Sequence, residues 1–288
     1  MVIPEGIVSD FSKSSSHSYL HIKEKAIAVE QLYADNNVPL AHTSDLAKLI
    51  ADAKLLSDSW LTGSSEEYPM SLLFRSGLFD RIANPLLLLR DVPDRVRFLS
   101  VLASGELNLL DRKKSHTKNI LWELELWEIL KGRSCNASLV EPPDIVVRFD
   151  ESTIGIACKK LYSQKHVQNV LSEAVAQIEA SFDFGIIAIN IDDLIPPDKI
   201  LRTPTREDMS KFLSNLNAKF LHAHERHFRK YLASGRVISA LVSTAVLADV
   251  YQATPRFNHA RQSTIWTIPG LAPEKARQLS NFYNQFMV

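Results

Sequence analysis

Hydrophobic and polar positions along the chain follow two regimes that meet near residue 110. In the first, apolar residues recur three and four positions apart, the period of a helix with one buried face. Residues 19–34 keep this period and stop at Asn36-Asn37-Val38-Pro39. Thr43 or Ser44 then caps a second helix, with Leu46, Leu49, Ile50, Ala53 and Leu56 on one face. Further helical segments are predicted over 70–83, 85–90 and 93–103, separated by Asn84-Pro85 and Val92-Pro93. The first 17 residues are polar and end rich in serine, which predicts an extended or poorly ordered start. No strand is predicted before Asp144, so residues 1–110 read as an all-helical N-terminal region whose apolar faces serve packing or a protein partner.

In the second regime the period shortens. Residues 119–131 (NILWELELWEILK) are still helical, with Gly132 placed to end the helix. Then Asp144-Ile145-Val146-Val147-Arg148-Phe149 and Thr153-Ile154-Gly155-Ile156-Ala157-Cys158-Lys159 form two β-branched runs around the polar turn Asp150-Glu151-Ser152, a hairpin signature. Alternation along the second run sets Ala157 and Lys159 on one face, Ile156 and Cys158 on the other. An amphipathic helix is predicted over 160–180, with Val167, Val170, Leu171, Ala174, Val175 and Ile178 as its apolar face, and a buried strand over 184–191. After the loop marked by Pro196-Pro197 and Thr203-Pro204 comes a long helix over 205–232, which Gly235 closes. Apolar, β-branched residues over 236–250 and the strand 262–268 extend the sheet, with Arg256, His259 and Arg261 on a basic loop between them. Pro273 opens a terminal helix over 273–286. Residues 111–288 therefore read as one α/β domain.

Composition narrows the functional classes. The chain has 288 residues, 45% of them hydrophobic, enough for a sizeable core. Lys plus Arg equals Asp plus Glu at 33 each, which excludes nucleic-acid coating by bulk charge and leaves local basic patches, such as Lys113 and Lys114, as the means of contact. With Cys135 and Cys158 as the two cysteines a disulfide scaffold is excluded, and a reducing cytoplasm is expected. No stretch reaches the roughly 20 apolar residues that a membrane span needs. His222, His224 and His227 lie on the long helix beside Arg226, Arg229 and Lys230. At ~100° per residue only His224 and His227 share a face, so a solvated basic surface is the expectation rather than a metal site. Trp122 and Trp127, set among leucines, read as core, whereas Lys160 and Lys165 read as exposed.

Pro143-Asp144 at the start of the hairpin and Cys158-Lys159 near its end resemble the PD-(D/E)xK nuclease superfamily, and the resemblance covers roughly residues 115 to 195 of the pattern just described. It implies a restriction-endonuclease-like mixed central sheet flanked by helices, here preceded by the helical region. It implies a site in which Asp144 ligates Mg²⁺ or Mn²⁺, the backbone carbonyl of Cys158 adds a ligand, and Lys159 orients the attacking water. Glu123, with Glu125 as runner-up, matches the acid on the preceding helix, and Gln177 reaches the DNA backbone or the lysine from the following one. The sequence departs from the family at Ala157, where the second metal-binding acid is expected. Three accounts stand open: an engineered acid-to-alanine change, a naturally inactive binding descendant, or migration of the acid to Glu173. Retention of Asp144, Lys159, Glu123 and Gln177 favours the first. The expectation is a metal-dependent DNA endonuclease of bacterial defence against foreign DNA with its site disabled at Ala157. The alternative is a non-catalytic nucleic-acid-binding or complex-assembly subunit. DNA, a protein partner through the N-terminal region and a second copy of the chain are the expected partners.

Overall fold

Eight strands join into one mixed sheet in the computed structural model, which describes residues 6–15, 19–61, 70–149, 152–196, 200–254 and 256–287. The elements run β1 (Gly6–Ser15), α1 (Tyr19–Asp35), α2 (Asp45–Leu61), α3 (Met70–Leu88), α4 (Arg95–Ser104), α5 (His116–Gly132), β2 (Asn136–Val140), β3 (Asp144–Arg148), β4 (Thr153–Lys160), α6 (Val167–Glu179), β5 (Gly185–Asn190), β6 (Leu201–Thr203), α7 (Arg206–Ala233), β7 (Val237–Val250), β8 (Phe257–Thr267) and α8 (Pro273–Met287). Short 3-10 turns occupy Leu89–Asp91, Gln164–His166 and Asp192–Leu194. The strands lie in the order β1-β8-β7-β5-β4-β3-β2, with β6 paired to β7. The centre, β4-β5-β7, is parallel, while β2-β3-β4 and β7-β8-β1 are antiparallel. Parallel neighbours require crossovers, and α6 and α7 supply them.

The sheet has a core on each face, and the division follows strand alternation. Ile145, Ile154, Ile156, Cys158, Ile186 and Ala188 pack in one cluster with residues of α1 to α5 and α8, among them Ile22, Leu86, Leu99 and Phe282. Ala157, Ile187, Ile189, Ala240 and Val242 turn the other way, onto Leu171, Ala174, Phe220 and Phe228 of α6 and α7. Burying each Leu or Ile of these clusters contributes about 1.5–3 kcal/mol, and β5, buried at every position, contributes to both clusters, as do β4, β7 and β8. Gly185 is required where β5 meets β4, since a Cβ there would lie 2.3 Å from the Gly155 carbonyl oxygen.

Several expectations need correction. The N-terminal region is not all-helical: β1 pairs antiparallel with β8 at the edge of the sheet, and β2 also precedes Asp144. Both are edge strands held by ladder hydrogen bonds to partners, a feature a polar run does not announce. Helix α3 runs through Pro85 instead of breaking before it. Strand β4 continues through Lys160, so α6 begins only at Val167. Strand β8 begins at Phe257, which places His259 and Arg261 in the sheet rather than on a loop. The hairpin turn residues Asp150 and Glu151 lie outside the described residues.

Candidate active site

The site forms where β3 begins and β4 ends. Ile145 pairs with Ile156, and continuing that register by one residue sets Asp144 across from Ala157. No further β3 residue follows to bond the next amide of β4, and the Asp144 side chain takes that place: its Oδ2 accepts the Cys158 N–H at 2.6 Å. Leu161 donates its N–H to Asn190 of β5. Successive residues of a strand direct their backbone groups to opposite neighbours, so Cys158, three residues before Leu161, directs its carbonyl toward β3, beside the Asp144 carboxylate.

Helix α5 brings Glu123 and α6 brings Glu173 and Gln177 to the same place. Together with Asp144, Cys158 and Lys159 they line a cleft of about 290 Å³. Ser115 starts α5 by accepting the Lys118 N–H, and that cap fixes the helix end that carries His116 on the cleft wall. Glu141, His116, Tyr162 and His166, which sequence reasoning did not single out, also line it. Glu141 stands directly before Pro142-Pro143, and its closeness to the motif was the signal available for it.

Burial and like charge govern the carboxyl groups. Burial, then the neighbouring Asp144 and Glu141, push Glu123 up to about 8 against the opposing effect of Lys159 and Arg97. Asp144 is pushed up to about 6, first by burial and further by Glu141, while the Cys158 N–H and Lys159 hold it down. Near neutral pH the pair thus retains a proton that two exposed carboxylates would have lost. The Cys158 thiol is pushed well up by burial and by the same two acids, so it stays protonated. Gln177 presents a buried Oε1 with no hydrogen-bond partner, an acceptor on this wall.

Other singled-out residues lie elsewhere. Ala157 is fully buried and packs in the α6-side core instead of lining the cleft. Glu125 is turned away from the cleft and pairs with Arg81 and with Arg261, the latter at 2.7 Å. Lys160 is buried, not exposed: its Nζ lies 3.1 Å from Asp193 and 2.7 Å from the Asn190 Oδ1. Lys165 is exposed, and Trp122 and Trp127 are buried, their ring N–H groups donating to the Ala188 and Ala137 carbonyls. His224 and His227 stack with ring centroids 6.3 Å apart, while His222 is exposed beside Glu225. Arg256 pairs with Asp249.

Among the described residues no group of three or more His, Cys, Asp or Glu side chains is arranged to hold a metal ion. Of the four carboxyl groups that line the cleft, Asp144 and Glu123 lie with a carbonyl directed to the same end. This oxygen donor set fits Mg²⁺, which is commonly held by one or two carboxylates with water filling its remaining positions. No family model, curated protein or solved structure matches the chain. Fold and site together define an α/β protein with a mixed sheet and a cleft, at the mouth of a hairpin, lined by Asp144, Glu123, Glu141, Glu173 and Lys159. Among the described residues no helix is long and apolar enough to cross a membrane.

Proposed function

We propose that the cleft is a nuclease site of the PD-(D/E)xK type that lacks one acid, on a restriction-endonuclease-like sheet, and that DNA is its polymer. The observation that carries this reading is the meeting of Asp144, Lys159 and Glu123, from two strands and a helix, in one cleft. The succession α5-β2-β3-β4-α6-β5 supports it, since it contains the helix, hairpin, helix and strand that the motif requires. Asp144, Glu123 and the Cys158 carbonyl would hold Mg²⁺ or Mn²⁺, which when bound supplies charge neutralisation at the phosphodiester and an acidified water. Lys159 would place its ammonium against the developing negative charge, and Gln177 would offer its unpaired oxygen to the water or the lysine. Exposed Lys113, Lys114 and Lys165 near the cleft mouth would contact phosphates. A cytoplasmic role in bacterial defence against foreign DNA is part of this reading and rests on the resemblance alone.

The burial of Ala157 among apolar side chains supports a second reading, in which the chain binds nucleic acid or assembles a complex without cutting. Cleavage assays on linear, circular and single-stranded DNA with Mg²⁺ or Mn²⁺ decide between them. The nuclease reading expects little or no cutting by the present chain and metal-dependent cutting by Ala157→Glu. A folded variant that binds no metal and cuts none of these substrates establishes the second reading.

A further inference from the structure

A separate cavity of about 280 Å³ shares Lys160 with the cleft as a common wall. Lys160 ends β4, Asp192 and Asp193 follow the end of β5, and Ala245 to Leu247 continue β7 past its last pairing with β5 at Ser243. The cavity thus opens at the carboxyl edge of the parallel strands, where α/β sheets place their ligands. Its sides are apolar: Leu78 comes from α3, Leu109 and Leu110 from the segment after α4, and Val246 and Leu247 from β7.

The polar floor carries more positive than negative charge. Asp192 is committed to Arg81 and to the Ala245 N–H, which it accepts at 2.6 Å. Asp193 alone serves two cations, Lys160 at 3.1 Å and Arg112 at 2.8 Å. Lys118 stands close by, attracted by Asp193 and Asp111 and repelled by Lys160 and Arg112. Arg112 bonds to Asp193 and to the Leu109 carbonyl through Nη1, and its buried Nε has no hydrogen-bond partner. A buried donor on a cation in surplus is costly until an anion meets it.

We propose that this cavity binds a small amphipathic organic anion, its carboxylate on the Arg112 guanidinium and its apolar body against Leu78, Leu109 and Leu247. Such a ligand neutralises the surplus charge and covers the apolar sides, which a hydrated inorganic anion does not. The inference stands apart from the nuclease reading and survives its failure. The test is calorimetric titration of the full chain with octanoate, and with 1-octanol as the uncharged counterpart. Saturable octanoate binding, tighter than that of octanol, is expected, and Arg112→Gln should weaken octanoate about tenfold or more while leaving octanol unchanged. Should Arg112→Gln fail to fold, Leu110→Glu, which alters a side chain 40% exposed at the cavity, should repel octanoate and weaken it severalfold. Absence of saturable octanoate binding, equal affinity for octanol, or octanoate affinity unchanged in the folded variants overturns the proposal.

Discussion

Asp144 caps the end of a neighbouring strand with its side chain: its carboxylate accepts the Cys158 N–H at 2.6 Å, where a further residue of β3 would otherwise have bonded. One group therefore closes the β-ladder and faces the cleft. Asp144→Asn keeps an acceptor for that amide and should leave thermal stability nearly unchanged, whereas Asp144→Ala leaves the buried N–H unpaired and should cost about 1–3 kcal/mol in denaturant unfolding. Both variants should lose Mg²⁺ binding in titration. Equal stability of the two would remove the structural half of this role.

Stability should fall as the solution is made more alkaline. Glu123 and Asp144 ionise at about 8 and about 6 in the folded chain, above their ordinary values near 4. Between those limits the folded state binds more protons than the unfolded one, so stability is fully present below about pH 4 and is lost as pH rises through 6 and 8. Melting temperatures from pH 5 to 9 should show this decline, Glu123→Gln should flatten it, and Mg²⁺ should raise the melting point more at pH 8 than at pH 5.

Glu123 and Glu125 should behave oppositely. Glu125 lies buried between Arg81 and Arg261, and Arg81 also pairs with Asp192. Glu125→Gln leaves those guanidinium groups short of charge and should cost about 3–5 kcal/mol, read by urea denaturation. Glu123→Gln removes repulsion from the cleft and should be neutral or stabilising at pH 8.

Restoring an acid opposite Asp144 should carry a packing cost. Ala157 is fully buried, so Ala157→Glu must push its chain past α6 toward the cleft, at about 1–3 kcal/mol. Mg²⁺-dependent cleavage should then appear, vanish with chelator and be abolished by adding Lys159→Ala. If the present chain already cuts, Glu173→Ala should end the activity, because Glu173 is the remaining acid that α6 brings to the cleft.

DNA affinity should respond steeply to salt. The chain has no net charge, so binding must come from local cations such as Lys113, Lys114 and Lys165. Replacing any one phosphate-binding lysine with alanine should lower the slope of log affinity against log salt by about 0.9 for duplex DNA. Filter binding at several salt concentrations measures this, and a flat dependence would argue for a protein partner instead.

The sequence by itself determined what short periods can determine. The two-residue alternation of 144–149 and 153–159 predicts a hairpin, and a hairpin of that length brings its first acid near its last lysine, as Asp144 and Lys159 are in the cleft. The helical periods before and after it likewise located α5 and α6 well enough to carry Glu123 and Gln177 to the site. Tertiary packing decided the rest. Glu123 and Glu125 stand two residues apart on one helix, ~200° around its axis, and only the way α5 lies on the sheet sends one to the cleft and the other to Arg81 and Arg261. Lys159 and Lys160 alternate on one strand, yet Lys160 is buried because Asp193, after β5, waits to pair with it. Strand β1 exists because β8, more than two hundred residues later, offers it an edge. Periodicity is set by neighbours in the chain, whereas a charge or an edge strand is placed by a partner that only folding brings near.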